Sequence, residues 1–277
     1  MAYRIIKGTF HVKGYAPDGD SVRFRAYDQN CWNLLTWKNQ QKKKEEFKQL
    51  RFEGVDAVET HYDESHQPRS FGVAAMEVML GLIGVTGMVY NLNITRILQA
   101  NDATPGYLAV IGVDSYSRPI SLVFSGDTRL PDGSEVTFAE LEIEKSVNLT
   151  LLRQGLVYPT FYKTMPLELV DRFTDEAAQA RAGMVGLWAL DRTHDFIFWN
   201  RDTIRDDIVI LPKLFRRLTT FLDAKSSYGE LKNYLLSQND RLTLRSTNTK
   251  TTLGKLIEVT DQRVQLKAPV EDMIFNP

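Results

Sequence analysis

A single cysteine, Cys31, stands in a chain of 277 residues. One thiol excludes an internal disulfide framework and every multi-cysteine zinc pattern, and it suits a reducing compartment. Long apolar runs are missing too. The greasiest stretch, Val73 to Val89, holds Glu77 and three glycines, too short and too interrupted to cross a bilayer. The opening MAYRIIKGTFHVKGY has no apolar signal-type core and alternates as a strand does. A soluble, cytoplasmic protein with no membrane partner is therefore expected. Excess charge of one sign is also absent, the net charge being −1. That excludes a global basic footprint and argues against tight nucleic-acid binding through bulk electrostatics. It leaves open an enzyme, which needs positive charge only at its site and must release product. There is no internal repeat and no low-complexity linker.

What is present is an ordinary globular composition, 43% hydrophobic and 25% charged, long enough for one domain plus a smaller one. Strands are expected at RIIKGTFHV and SVRFRAY, on either side of the turn Ala16-Pro17-Asp18-Gly19-Asp20. Residues 28–49 read as an insertion with an aromatic patch (Cys31, Trp32, Trp37) and a solvated charge run, QQKKKEEFKQ. As a rim loop it should tolerate shortening, with the two tryptophans outside the core. A strand over Leu50–Val55 ends in Asp56-Ala57-Val58-Glu59-Thr60. A helix follows, capped by Ser70, with Phe71, Ala74, Ala75, Val78, Met79 and Leu82 on its apolar face and Gly84 as its stop. Further strands are expected at 88–98, 107–113 and 119–124, with a polar turn at 114–118. Helices are expected at 147–155 and 167–183, the latter burying Leu169, Phe173, Ala177 and Ala180. Strands, a helix, more strands and two helices suit a small mixed barrel.

Beyond Trp188-Ala189-Leu190 the net charge changes from −3 over residues 1–192 to +2 over 193–277. Residues 203–237 read as mostly helical, and 241–268 as short strands with a turn near Asp261-Gln262. Trp188, Phe196, Phe198 and Trp199 read as an interface between the two parts.

Each polar motif is weak by itself. Asp18-Gly19-Asp20 is a common turn, Asp56-x-x-Glu59 could start a helix, and Arg51 and Arg118 could be surface arginines. Together they form the inventory that phosphodiester hydrolysis requires. A hard cation takes carboxylate oxygens, arginine forks match phosphate oxygens, and a spare carboxylate can orient or deprotonate water. One geometric condition must hold. In a straight strand Arg51 and Asp56 would point to opposite faces, so the strand must bulge or end between them, with Gly54 the expected place. His61, Asp63 and His66 read as a solvated loop rather than a metal cluster, and Gly126-Asp127 to Asp132-Gly133 as turns.

The strings DGDSVRF (18–24), LRFEGVDAVET (50–60), DSYSRPI (114–120), VNLTLLRQGLVYP (147–159) and ARAGMVGLWAL (180–190) occur in this order. In order and kind they resemble the thermonuclease (staphylococcal nuclease-like) family, over nearly all of residues 8–190. The resemblance implies an OB-type five-stranded β-barrel with helices over 1–192. With the smaller C-terminal α+β unit read over 193–277 from its own helix and strand patterns, the expected fold class is α+β. The resemblance also implies calcium-dependent hydrolysis of DNA and/or RNA to 3′-phosphorylated products, another divalent cation being an alternative. Asp20, Asp56 and the backbone carbonyl of Ala57 correspond to metal ligands, with Asp18 assisting through water. Glu59 corresponds to the carboxylate that handles the attacking water. Arg51 and Arg118 correspond to the phosphate-clamping arginines, Tyr116 to a terminal-phosphate contact and Tyr162 to a base-stacking aromatic. Departures are Ala57 for a threonine, Val58 for a proline and Ser115 for a lysine; the first removes a hydroxyl beside the metal. The alternative is a catalytically silent nuclease-like binding or scaffolding module.

Overall fold

The computed structural model describes residues 2–94, 96–224 and 227–276. Thr95, in the expected 88–98 strand, and Lys225 and Ser226, in the expected 203–237 helical stretch, lie outside the described residues, as do residues 1 and 277.

Alternating burial along β1 (Ala2–His11) puts Tyr3, Ile5 and Phe10 into the main core. β2 (Arg23–Ala26), β3 (Lys48–Gln49), β4 (Arg51–Phe52) and β5 (Val55–Ala57) follow. The chain continues through helix α2 (Arg69–Leu82), after a short exposed α1 (Gln40–Lys44), and a hairpin of β6 (Thr86–Tyr90) and β7 (Ile97–Asn101). Next come β8 (Thr104–Val113), β9 (Pro119–Ser125), β10 (Glu135–Thr137), α3 (Val147–Arg153), β11 (Val157–Pro159), β12 (Phe161–Tyr162) and α4 (Leu167–Ala182). Six strands run in the order β3-β2-β1-β8-β9-β4, with β10 added to β1. Since only Leu50 separates β3 from β4, one stretch of chain pairs with β2 at one edge and β9 at the other. The sheet is thereby nearly closed, like a barrel.

Asn148 fastens α3 to this seam. Its amide donates to the carbonyls of Glu53 (2.9 Å) and Ser121 (3.1 Å), and its oxygen accepts from Val123 N (3.0 Å). Such a satisfied buried amide fixes the helix in one register.

The expected face of α4, with Leu169, Phe173, Ala177 and Ala180, is the buried one. In α2 the face is turned: Gly72, Ala75, Met76, Met79 and Leu80 are buried, while Phe71, Ala74, Val78 and Leu82 are only partly so. Close approach explains the rotation. A Cβ on Gly72 would lie 2.5 Å from Thr60, and one on Gly19 would lie 2.6 Å from Ala75, so small residues face the strand-and-turn layer. Pro68, with no side-chain cap, precedes the helix in place of the expected Ser70, and Gly84 ends it at φ +81°. The single strand expected over 88–98 is instead the two-stranded β6–β7 hairpin.

The 28–49 segment also differs from expectation. Trp32 (1% exposed) and Trp37 (6%) belong to the main core, Trp32 meeting Phe24 edge-on. Lys48, within the charge run, is buried under both indoles and donates to the carbonyls of Lys42, Lys43 and Glu45. Both indoles are part of the main core, so a deletion reaching them would open it. The exposed α1 is the solvated part that the charge run suggested.

Residues 193–276 add β13 (Phe196–Ile197), α5 (Pro212–Asp223), α6 (Leu231–Ser237), β14 (Arg241–Leu244), β15 (Thr249–Thr252), α7 (Leu253–Leu256), β16 (Ile257–Thr260), β17 (Arg263–Leu266) and β18 (Met273–Phe275). Their core takes in Val58, Tyr158 and Trp188 from the first part. Phe196 and Phe198 are buried there as expected of an interface, whereas Trp199 is exposed. β18 runs parallel to β12 and antiparallel to β14, so one sheet joins the two parts. No helix among the described residues is long and apolar enough to cross a membrane.

Glu53 is buried beside the Tyr3 hydroxyl, where a negative charge would be costly. Burial pushes its carboxyl up to about 8, against the opposing pull of Tyr3 and Arg51. Below its ordinary value of 4.5 both folded and unfolded chains carry the proton. Between there and about 8 only the unfolded chain releases it, so stability falls as pH rises through that window. Glu53→Gln should remove this slope, with its advantage over the native protein growing from pH 5 to pH 8 in urea unfolding. Parallel pH curves for the two proteins would refute the assignment.

Candidate active site

The layout of the site follows from the break between β4 and β5. Gly54, at φ +77°, turns the chain directly after Glu53, and β5 then pairs with β11, setting Asp56 opposite Tyr158. The condition set by strand parity is met in this way. Arg51 and Asp56 face one cavity of about 450 Å³.

Asp18, Asp20, Arg51, Asp56, Ala57, Glu59, Tyr116, Arg118 and Tyr162 all line that cavity, so every residue given a site role from the sequence is brought to it. Different elements hold them. Asp18 and Asp20 sit on the turn before β2, where Asp18 accepts from Thr60 Oγ1 and Asp20 Oδ2 lies 3.4 Å from Ala57 N. Arg51 lies over the Tyr162 ring, 4.5 Å from its centroid. The β8–β9 turn carries Arg118 and Tyr116, and buried Asp114 organises it. One Asp114 oxygen accepts from the backbone N–H groups of Tyr116 and Arg118 at 2.9 Å, and the other takes Arg118 Nε at 2.8 Å. Tyr116 stands 78% exposed at the mouth. Tyr162 lies on β12, in the sheet completed by β18.

The carboxylates oppose one another electrostatically. Asp20 is pushed up to about 8, first by burial and then by Asp56, Asp18 and Glu59. Burial raises Glu59 to about 7, with Arg216 pulling it down and Asp56 pushing it up. Asp18 is raised by burial, against His61, Thr60 and Arg118. Such a group is stabilised by any cation placed among its members.

The C-terminal part places a cation there. Arg216 Nη2 lies 2.8 Å from Asp56 Oδ2, Nη1 lies 3.2 Å from Oδ1, and Nη1 also donates to Glu59 Oε1. Lys213 and Arg217 line the cavity as well, and both pair with Asp240. Sequence reasoning missed these three cations. A signal was present, because Lys213, Arg216 and Arg217 fall at i, i+3 and i+4 on α5, opposite the buried Leu214, Phe215, Leu218 and Phe221. Asp114 was missed as well. Its position four residues before Arg118, across a polar turn, was the available clue.

Among the described residues, no three His, Cys, Asp or Glu side chains are drawn around one point as metal ligands would be. His61 lies beside Thr60 and Asp18, while His66 bonds the Gln67 carbonyl, consistent with a loop role. Comparison with protein-family models and with curated proteins finds no match for this chain.

Gly54 leaves no room for a side chain in this arrangement. An added Cβ would lie 2.7 Å from the buried Phe173 ring, at a backbone angle that disfavours side chains. Gly54→Ala should therefore destabilise the protein by about 2–4 kcal/mol in urea unfolding. A loss below about 0.5 kcal/mol, within the range of ordinary surface substitutions, would show that the turn is not under this constraint.

Proposed function

We propose that this chain is a metal-dependent phosphodiesterase of the thermonuclease type, acting on DNA and/or RNA. The observation carrying the reading is the convergence of Asp18, Asp20, Asp56 and Glu59 with Arg51 and Arg118 in one cavity, from three separate stretches of sequence. The nearly closed sheet supports the OB-type reading, since the stretch holding β3 and β4 counts as one closing strand, making five with β1, β2, β8 and β9.

The donor set fits a hard divalent cation, calcium in the first instance. Its oxygens are carboxylates, and the upward push that they exert on Asp20 is the repulsion such an ion relieves. Asp20, Asp56 and the Ala57 carbonyl would hold it, with Asp18 acting through water. When bound, the ion supplies Lewis-acid polarisation of a phosphoryl oxygen. The chain's own groups do the rest. Arg51 and Arg118 hold the phosphate and neutralise the charge that grows on it during in-line attack. Asp114 fixes the position of the Arg118 guanidinium by accepting from its Nε. Glu59 receives the proton of the attacking water, a role suited to a carboxyl raised to about 7. Tyr116 and Tyr162, which line the same cavity, would receive the nucleotide. Cleavage on the 5′-oxygen side leaves a 3′-phosphate on the product.

A second reading has its own observation. With Asp56 and Glu59 already paired to Arg216, the fold could serve as a catalytically silent nucleic-acid-binding or scaffolding module. Labelled single- and double-stranded DNA and RNA, incubated with calcium and then with chelator, separate the two. The nuclease reading expects calcium-dependent cleavage, lowered on the order of 10²-fold or more in Arg51→Ala and Arg118→Ala with the fold retained. Asp56→Ala should instead require more calcium. Binding without cleavage under any divalent cation would establish the silent module.

A further inference from the structure

We infer that Arg216 is an internal counterion occupying the carboxylates meant for the divalent cation, so that metal binding requires its displacement. The inference rests on the metal-dependent reading above and adds a residue from α5 to that site.

The contact geometry carries it. Both oxygens of Asp56 are engaged by the two terminal nitrogens of one guanidinium, which also reaches Glu59 Oε1. A divalent cation needs the same lone pairs, at about 2.3–2.6 Å for calcium. The fork and the ion cannot both have Asp56 in full. Charge points the same way, because a guanidinium left in the shell of a doubly charged ion is repelled by it. Asp20, meanwhile, has no cationic partner among the described residues. Arg216 neutralises one side of the acidic group and leaves the other side facing the cavity.

The placement of α5 makes displacement feasible. Its apolar side, with Leu214, Phe215, Leu218 and Phe221, is buried in the second core and holds the helix without help from Arg216. Arg216 itself keeps 27% of its side chain exposed toward the cavity, and a long flexible side chain can swing out while the helix stays. Once released, it stands beside the phosphate position as a further cation on the cavity wall.

The test measures calcium binding to the full chain by titration calorimetry, with no substrate. Arg216→Gln should bind calcium on the order of tenfold or more tightly than the native protein, because no charge-assisted fork has to be broken. In thermal unfolding the variant should be less stable without calcium, since two carboxylates lose their partner, and calcium should raise its midpoint more than that of the native protein. Equal or weaker calcium affinity in a folded Arg216→Gln protein overturns the inference and leaves the metal-dependent reading standing; Arg216 would then be a structural ion pair. If neither protein binds calcium, magnesium or manganese, the metal-dependent reading falls and takes this inference with it. Should the Gln variant not fold, Arg216→Lys carries the same test. An ammonium cannot span both oxygens of Asp56, so this variant too must bind calcium more tightly than the native protein.

Discussion

Residues 48–59 must do two things at once: close a barrel and deliver an arginine, an aspartate and a glutamate to one side of it. A regular strand can do only the first, because successive side chains alternate between faces. The chain resolves the conflict by ending β4 at Phe52, turning through Gly54 at positive φ and restarting as β5 against β11. Everything around that turn depends on it. Phe173 and Met165 fill the space that a side chain at Gly54 would need, and Asn148 ties the Glu53 carbonyl to β9. The barrel seam and the site are thus one feature of the chain.

Burial then sets the electrostatics. Asp18, Asp20 and Glu59 are drawn out of water beside one another, and each is raised from its ordinary range as a result. Two kinds of positive charge answer them. Arg51 and Arg118 come from the barrel, one over Tyr162 and the other held by Asp114. Arg216 comes from beyond the barrel, on a helix anchored by its apolar face. The C-terminal residues also supply β18, which pairs with β12 and so fixes Tyr162 at the cavity wall. For this protein the region after residue 192 is part of the site's wall, whatever boundary is drawn between the two parts.

Several features were legible before any coordinates because they are local. The face of α4 follows from the spacing of Leu169, Phe173, Ala177 and Ala180, and the role of Gly54 follows from strand parity alone. Others were misread because packing outweighed pattern. The α2 face turned toward Gly72 and Ala75, since a strand and a turn approach closely there, and close approach selects small residues over greasy ones. Trp32, Trp37 and Lys48 looked like a dispensable insertion, yet both indoles are buried in the main core with Lys48 packed against them.

Sequence by itself determined the inventory: carboxylates at a turn and a strand end, arginines at two well-separated positions, a glycine where the strand must break, and an amphipathic α5 with its cations on one side. These are properties of spacing and residue type, which do not change when the chain folds. Tertiary structure alone decided which charges meet. Asp56 and Arg216 are 160 residues apart, and no periodicity links them. Their pairing exists because the second core, built around Phe215 and Leu218 on one side of α5, presents the opposite side of that helix to the cavity. The energy that fixes such a helix comes from apolar burial, and the polar contact follows from where that burial leaves it.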